Sequence, residues 1–524
     1  MTLLPSAKRR STAAVTLAVG AWLTALAWTR PLLLPDEGRY VGVAWEMLRS
    51  GDWLTPTLNG LPYFHKPPLF YWITAVSMGV FGPGEWSARL APLIGSWLAA
   101  MAGFVFTRRW WGERAAWLAL VSVLSMPLFY LGGQFANTDM LVAGLITAAI
   151  AMLAHAALEF EAGLSHRRAV WLGYALAGLA ILAKGLIGAV LPALVIAGWL
   201  VGGRRWRTAR ALCSGIGALM LLLIAAPWFL AMQARFPQFV DYFFVVQHFK
   251  RYATGGFNNV QPWWYYPAVL LVFSLPWLRW LGAQLGRGRQ SAPEHDDVRH
   301  LAMWWLVVVV GFFSLPRSKL LGYVLPALLP LALLIADGVQ TTDVRVGTPW
   351  QRAWLWACCV GAAISVAAVA TFTLHPTRST REIANVLRQK AAPGEPVVMI
   401  GGYWFDLPQY AHLREPVTVV DDWSRSDVQH QDNWRKELAD AGTFAPSLAA
   451  ARLVEPAVWC AGLAGVGSAW VVGHASATSR FDFLTSAAVV AQVRGTTLWR
   501  VDRADPHVKS GLCEGTPSGD RPSK

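Results

Sequence analysis

The sequence predicts a polytopic α-helical membrane protein with about eleven or more transmembrane helices and a C-terminal external α/β domain. Three observations carry that expectation. Of 524 residues 55% are hydrophobic and only 15% charged, with a mean hydropathy of +0.38, too apolar for a soluble chain of this length. Apolar windows long enough to cross a bilayer recur up to about residue 374. After that point turn signals and short strand-like runs replace them.

The windows lie near 13–34, 87–107, 115–131, 139–158, 169–183, 186–202, 211–232, 264–284, 300–315, 319–337 and 351–374, the two beside Lys184 being short. Lys8, Arg9 and Arg10 precede the first window, and no small-residue cleavage site with a polar flank follows it. It is therefore read as a retained helix rather than a signal peptide. The 29 tryptophans and 46 glycines suit interfacial anchoring and close helix approach.

A net charge of +14 and a pI near 9.8 would suit nucleic acid, but the basic residues occur as short clusters between apolar runs. Arg108, Arg109 and Arg114 form the first, Arg167 and Arg168 the second, and Arg204, Arg205, Arg207 and Arg210 the third. Arg287, Arg289 and Arg299, then Arg345 and Arg352, continue the alternation. These loops are expected on the cytoplasmic side, and no nucleic-acid partner is expected. The opposite loops, 35–86, 132–138, a turn near Lys184, 233–263, 316–318 and everything after about 375, are expected outside.

The domain reading is a transmembrane domain over 1–374, including a first external loop at 35–86, an external α/β domain over 375–510, and a disordered tail at 511–524. Strand-like runs fall at Val397–Ile400, Val417–Val420 and Trp470–Val472. Cys213, Cys358 and Cys359 lie in predicted spans and read as packing residues, whereas Cys460 and Cys513 fall in the external domain, where a disulfide or two free thiols are both compatible with the spacing.

The segment richest in chemistry is the first external loop. Asp36 and Glu37 follow the first span directly, a depth at which carboxylates are costly and often functional. The alternative is a cap for a helix from Glu37 to Leu48. Tyr63, His65 and Lys66 precede Pro67 and Pro68, which fix the backbone there. Lys66 reads either as a functional cation or as a snorkelling anchor. Asp139, in Ala-Asn-Thr-Asp-Met, again reads as an acid or a cap, and the topology places it on the same face as Asp36 and Lys66.

Lys250 and Arg251, then Arg317, Lys319 and Tyr323, add cations and a phenol on that face. Cations beside carboxylates suit a phosphorylated lipid, the cations holding phosphate while an acid orients or deprotonates a nucleophile. His65 and His248 with the acids make a candidate site for a divalent metal ion, against the plainer reading of two hydrogen-bonded interface histidines. No other cofactor is expected, since the chain has no Walker loop, dinucleotide fingerprint, serine elbow or HExxH run. Transporters tend to place ionisable groups mid-membrane and to carry paired repeats, whereas these acids cluster at span ends, so transport ranks below enzyme chemistry.

The ordered motifs PDEGRY, LNGLPYFHKPPLFYW, ANTDM, AKGLIG and SKLLGYVLP resemble the polyprenyl-phosphate-dependent membrane glycosyltransferases, over residues 13 to 340. The resemblance is to the lipid A aminoarabinose transferases, relatives of the protein O-mannosyltransferases. It implies a C-type glycosyltransferase fold in the bacterial inner membrane, with the active site facing the periplasm. It also implies transfer of 4-amino-4-deoxy-L-arabinose from undecaprenyl phosphate to lipid A, which lowers surface charge and antimicrobial-peptide binding. A same-fold transferase moving another sugar to protein, core lipopolysaccharide or another glycan is the alternative. Carried over by motif, Asp36 and Asp139 resemble the catalytic acids. Glu37, Arg39, Tyr40 and Tyr63 resemble cavity residues, and Lys66, Arg251 and Tyr323 resemble the clamp on the donor phosphate. One departure stands out: His65 occupies the position before Lys-Pro-Pro where the family commonly has Glu.

Overall fold

A computed structural model describes residues 6–250, 259–286, 296–342, 349–376, 379–425, 428, 433–463, 468–481 and 483–502. By internal contacts the chain divides into two compact units, Met1–Arg30 with His65–His375, and Pro31–Phe64 with Pro376–Lys524. The first loop is thus split at Phe64. Its first half groups with the C-terminal segment rather than with the helices that flank it in sequence.

The first unit is helical. Among the described residues six helices are long and apolar enough to cross a membrane, or seven if one bent pair counts as a single span. Most expected windows reappear as helices within a few residues: 87–107 as Leu90–Trp110, 139–158 as Thr138–Glu161, 211–232 as Gly215–Arg235 and 351–374 as Pro349–Leu374. The first window differs, because its helix runs Ser6–Thr24 and gives way to turns before Pro31, a residue that disfavours helix at the position before it. The expected span 115–131 is broken. Met126 is extended ahead of Pro127, and the helices on either side meet at 68°. An apolar helix, Leu69–Phe81, lies in the stretch read as the first external loop.

Burial separates inner from outer helices. In Thr138–Glu161, 89% of the apolar window is enclosed by protein, against 22% in Gly215–Arg235. The inner helix can sit so deep because Gly95 and Gly144 let two backbones meet: a Cβ on Gly144 would strike the Gly95 carbonyl, and one on Gly95 the Met140 carbonyl. Lipid offers no hydrophobic drive for helix association, so close van der Waals contact through small residues has to supply the attraction.

The second unit carries a short hairpin, β1 (Thr57–Leu58) and β2 (Leu61–Pro62), and a six-stranded sheet. The sheet strands are β3 (Val397–Ile400), β4 (Thr418–Val420), β5 (Leu453–Val454), β6 (Ser468–His474), β7 (Ala488–Val493) and β8 (Thr496–Asp502), ordered β5-β4-β3-β6-β8-β7. Strands β5, β4, β3 and β6 run parallel, and β8 and β7 add antiparallel. All four residues of β3 are buried, as a central parallel strand requires. Val398, Val420, Val471, Phe483 and Trp499 belong to the core against which the sheet packs.

The hairpin is tied to this unit by one carboxylate. Glu46, on helix Asp36–Ser50, accepts from the Thr57 hydroxyl and from the Asn59 and Gly60 amides. Burial pushes the Glu46 carboxyl up, opposed by those three bonds. The Asn59 side chain continues the seam, exchanging two bonds with the Val417 backbone.

Candidate functional site

In the helical unit a cleft of about 140 Å³ is lined by His65, Lys66, Asp139, Lys184, Gln247 and Tyr323, with Val142, Ile146, Ile187, Phe313 and Pro326 as its apolar wall. Asp139 reaches it from the first turn of Thr138–Glu161. The capping reading of Asp139 does not hold, because Asn137 is the cap: its side chain accepts from the Asp139 amide at 2.9 Å. The Asp139 carboxylate is thereby left to side-chain chemistry. It is ion-paired with Lys184, at the last residue of helix Arg167–Lys184, both side chains being only 12–15% exposed.

Lys184 also lies 4.3 Å from the centroid of the Tyr323 ring, a cation–π contact. Tyr323 stands in the short 3-10 helix Leu321–Ala327, with its ring 5.3 Å from Phe313. Gly322 permits this arrangement, since a Cβ there would collide with the Asp139 carboxylate. The cleft therefore holds two ammonium groups and one carboxylate against an apolar wall. That is a net positive pocket with an apolar wall, suited to an anion with a hydrophobic tail.

Lys66 lines the cleft and donates to the His65 carbonyl at 3.0 Å. His65 faces Tyr242 at 6.1 Å between ring centroids, and Gln247 donates to the Tyr242 hydroxyl at 3.0 Å. Of the expected phosphate clamp, Lys66 and Tyr323 are brought together, whereas Arg251 lies outside the described residues. Lys319, counted among the cations of this face, is instead buried and spent on the backbone, donating to the Gln261 and Pro316 carbonyls.

For the metal reading, no group of three or more His, Cys, Asp or Glu side chains among the described residues could hold an ion. The His248 side chain falls outside those residues. The Cys460–Cys513 pair does too, as neither side chain is described.

The second unit gathers the remaining candidates. Helix Asp36–Ser50 begins after Pro35 without a side-chain cap. Asp36, half-exposed, pairs with Arg39 one turn on, and Arg39 pairs also with Glu437. The Tyr63 hydroxyl donates to Glu437 at 3.1 Å, and the Arg39 guanidinium lies 5.3 Å from the Tyr40 ring centroid. Burial disfavours the Arg39 charge, but Glu437, Tyr63, Tyr40 and Asp36 outweigh it and hold its pKa well above the usual value. Glu37 is fully buried and accepts the Leu33 amide at 2.8 Å, so this acid, rather than Asp36, serves the helix entry.

Two residues of these clusters escaped the sequence reading. Lys184 was visible in AKGLIG as a lone cation between apolar runs, a costly placement that signals function or pairing. Glu437 gave no signal.

A family model for dolichyl-phosphate-mannose-protein mannosyltransferase matches residues 65–230. The chain is 36% identical over 320 residues to the undecaprenyl phosphate-alpha-4-amino-4-deoxy-L-arabinose arabinosyl transferase of Pseudomonas aeruginosa, a match covering 59% of this chain and 56% of that protein. It is 33% identical over 369 residues to the enzyme of the same name from Edwardsiella ictaluri, covering 68% and 65%. The matches thus span less than two thirds of those relatives' length. The crystal structure of ArnT from Cupriavidus metallidurans bound to undecaprenyl phosphate superposes with a TM-score of 0.78 at 25% identity, covering 95% of this chain and 98% of that one. With the fold and the ordered motifs agreeing, the chain is a multi-pass membrane protein with a C-type glycosyltransferase fold, similar over these lengths to the undecaprenyl-phosphate arabinosyl transferases.

Proposed function

We propose that this protein transfers 4-amino-4-deoxy-L-arabinose from undecaprenyl phosphate to lipid A at the periplasmic face of the inner membrane. The observation that carries the reading is the cleft in which Asp139 is held by Lys184 beside Lys66 and Tyr323, in a chain sharing its fold with a protein solved in complex with undecaprenyl phosphate. Its two ammonium groups match a lipid phosphate, and its apolar wall matches a prenyl chain.

In this reading Lys66 and Tyr323, with Arg251, hold the donor phosphate, while Asp36 and Asp139 are the catalytic acids. An acceptor oxygen attacks the anomeric carbon as the bond from that carbon to the carrier phosphate breaks, and the electron pair leaves on the phosphate. Lys66 strengthens its contact as that charge develops, which is where a preorganised cation lowers a barrier. A lipid A phosphate is already anionic, so no strong base is required and Asp36 as catalytic acid orients the acceptor rather than deprotonating it. A hydroxyl acceptor would require the base. The same reading assigns residues 36–50 to the outer membrane surface, about eleven spans to residues 1–374, and the residues after 375 to the periplasm; among the described residues six helices, or seven with the bent pair, are long and apolar enough to be such spans.

One feature favours a second acceptor or sugar within the same chemistry. His65 stands where the family commonly has Glu, and it lines the cleft. The deciding experiment is transfer in nanodiscs from a panel of synthetic undecaprenyl-phosphate sugars, combined with mass spectrometry of lipid A from cells with and without the gene. Aminoarabinose on lipid A only when the gene is present supports the first reading. Transfer of a hexose to another glycan with lipid A unchanged would replace it, and movement of the lipid-linked sugar without transfer would point to a transporter.

A further inference from the structure

We infer that Glu437, in the C-terminal segment, is a positioning residue for Asp36, acting through Arg39. The inference rests on the catalytic reading of Asp36. Glu437 lies on helix Trp434–Gly442, whose Asn433 cap accepts from the Arg435 and Lys436 amides. Its side chain is 6% exposed and is held from two directions, by an Arg39 terminal nitrogen and by the Tyr63 hydroxyl. The other terminal nitrogen of Arg39 goes to Asp36, whose side chain is 50% exposed.

This division of one guanidinium between two acids has a physical consequence. An exposed ion pair one helical turn apart fixes little by itself, because the side chains exchange it for water at small cost. A planar guanidinium differs from an ammonium in that locking one of its arms sets the direction of the other. Glu437, buried and fastened by Tyr63, locks one arm. The second arm is then presented to Asp36 in a narrow range of directions, so the orientation of the half-exposed carboxylate is set by a residue about 400 positions away in sequence. Glu437 also takes up part of the Arg39 charge that would otherwise fall wholly on Asp36.

The test is steady-state transfer from undecaprenyl-phosphate aminoarabinose to lipid A in nanodiscs, with kcat and KM resolved and thermal unfolding measured alongside. Glu437→Gln keeps size and can still accept from Tyr63, and it should lower kcat about tenfold with donor KM changed by less than about twofold, the size of a coupled pair in one network. In an Arg39→Lys background, where an ammonium cannot fork in the same way, Glu437→Gln should cost less than about twofold more. Unchanged kcat in the single variant, or a full tenfold loss added on top of Arg39→Lys, overturns the inference. Should Glu437→Gln fail to give a folded protein, Tyr63→Phe decides. It removes only the hydroxyl that fastens Glu437, and an unchanged kcat there overturns the inference as well. Asp36→Asn separates the two levels: inactive beside a fully active Glu437→Gln, it removes only the role of Glu437. If Asp36→Asn is active, the catalytic reading of Asp36 falls and takes this inference with it.

Discussion

Gly322→Ala tests the cleft with a single methyl group and no change of charge. A Cβ at this position would fall within contact distance of the Oδ2, Cγ and Cβ atoms of Asp139, and Asp139 cannot simply swing aside without giving up Lys184. Either the carboxylate moves or the short helix Leu321–Ala327 does, and the overpacking costs about 1–3 kcal/mol. The effect on turnover should be larger than that cost implies. Displacing a catalytic group by about 1 Å typically costs about 100-fold, or roughly 2.7 kcal/mol of barrier. The assay is the initial rate of sugar transfer in nanodiscs at matched protein, with thermal unfolding in the same preparation. Gly311→Ala is the control, since its new methyl meets nothing within 4 Å, and it should behave as wild type. A Gly322→Ala protein that inserts normally and keeps its rate to within about threefold would refute the claim that the position of Asp139 governs turnover.

Lys184→Gln and Lys66→Gln should each lower kcat/KM by about 100- to 1,000-fold, the usual loss for one preorganised donor, with Arg at either position restoring part of it; rates near wild type in either Gln variant would return that lysine to a merely structural role. Asp139→Asn should abolish transfer while insertion is retained, because Asn137 rather than Asp139 caps the helix; a substantial residual rate would dismiss Asp139 as a catalytic acid. The fourth expectation concerns pH. Hydrogen bonds from Arg500, against some burial and with help from Trp470, hold Glu395 down at about 2. A carboxyl lowered in the folded state contributes stability above its ordinary pKa of 4.5, and that contribution is lost as pH falls from there toward about 2. Unfolding of the C-terminal unit followed from pH 5 to pH 2 should therefore be flatter in Glu395→Gln than in wild type, and an unchanged slope would count against the Glu395–Arg500 pair as a source of acid sensitivity.

What the sequence disclosed depended on whether a signal was local. Apolar windows are local, and so Thr138–Glu161 and Pro349–Leu374 lie close to where hydropathy puts them. The strand-like run Val397–Ile400 is likewise strand β3. The edge hairpin of β7 and β8, joined at Arg494 and Gly495, was missed because an edge strand such as Ala488–Val493 is largely exposed and shows no clean alternation. Helix Leu69–Phe81, at 13 residues, was passed over because it falls short of a full span. Among site residues, Asp139 and Tyr323 stood out because their motifs are compact. Lys184 marks only a turn between two short apolar windows in the sequence, and its pairing with Asp139 is a contact 45 positions away that no local pattern signals. Lys319 differs in the other direction: beside a span it reads as a phosphate cation, but its ammonium donates to the Gln261 and Pro316 carbonyls.

The division of the first loop at Phe64 bears on why sequence resemblance alone could not describe the second cluster. The resemblance is carried by residues 13 to 340, and it identifies Asp36, Arg39 and Tyr63 as a group without saying what fixes their geometry. In the structure the groups that fix it come from beyond that range. Glu437 takes Arg39 and Tyr63, the Val417 backbone takes Asn59, and Arg452 donates to the Asn59 carbonyl at 3.1 Å. A half-exposed acid such as Asp36 gains a defined direction only from such buried partners, because its own contact with solvent is nearly isotropic. The chemistry-bearing residues of the first loop and the scaffold that orients them are therefore written in different parts of the chain. A substitution in the C-terminal segment, far from any recognised motif, should act on turnover before it acts on insertion or fold.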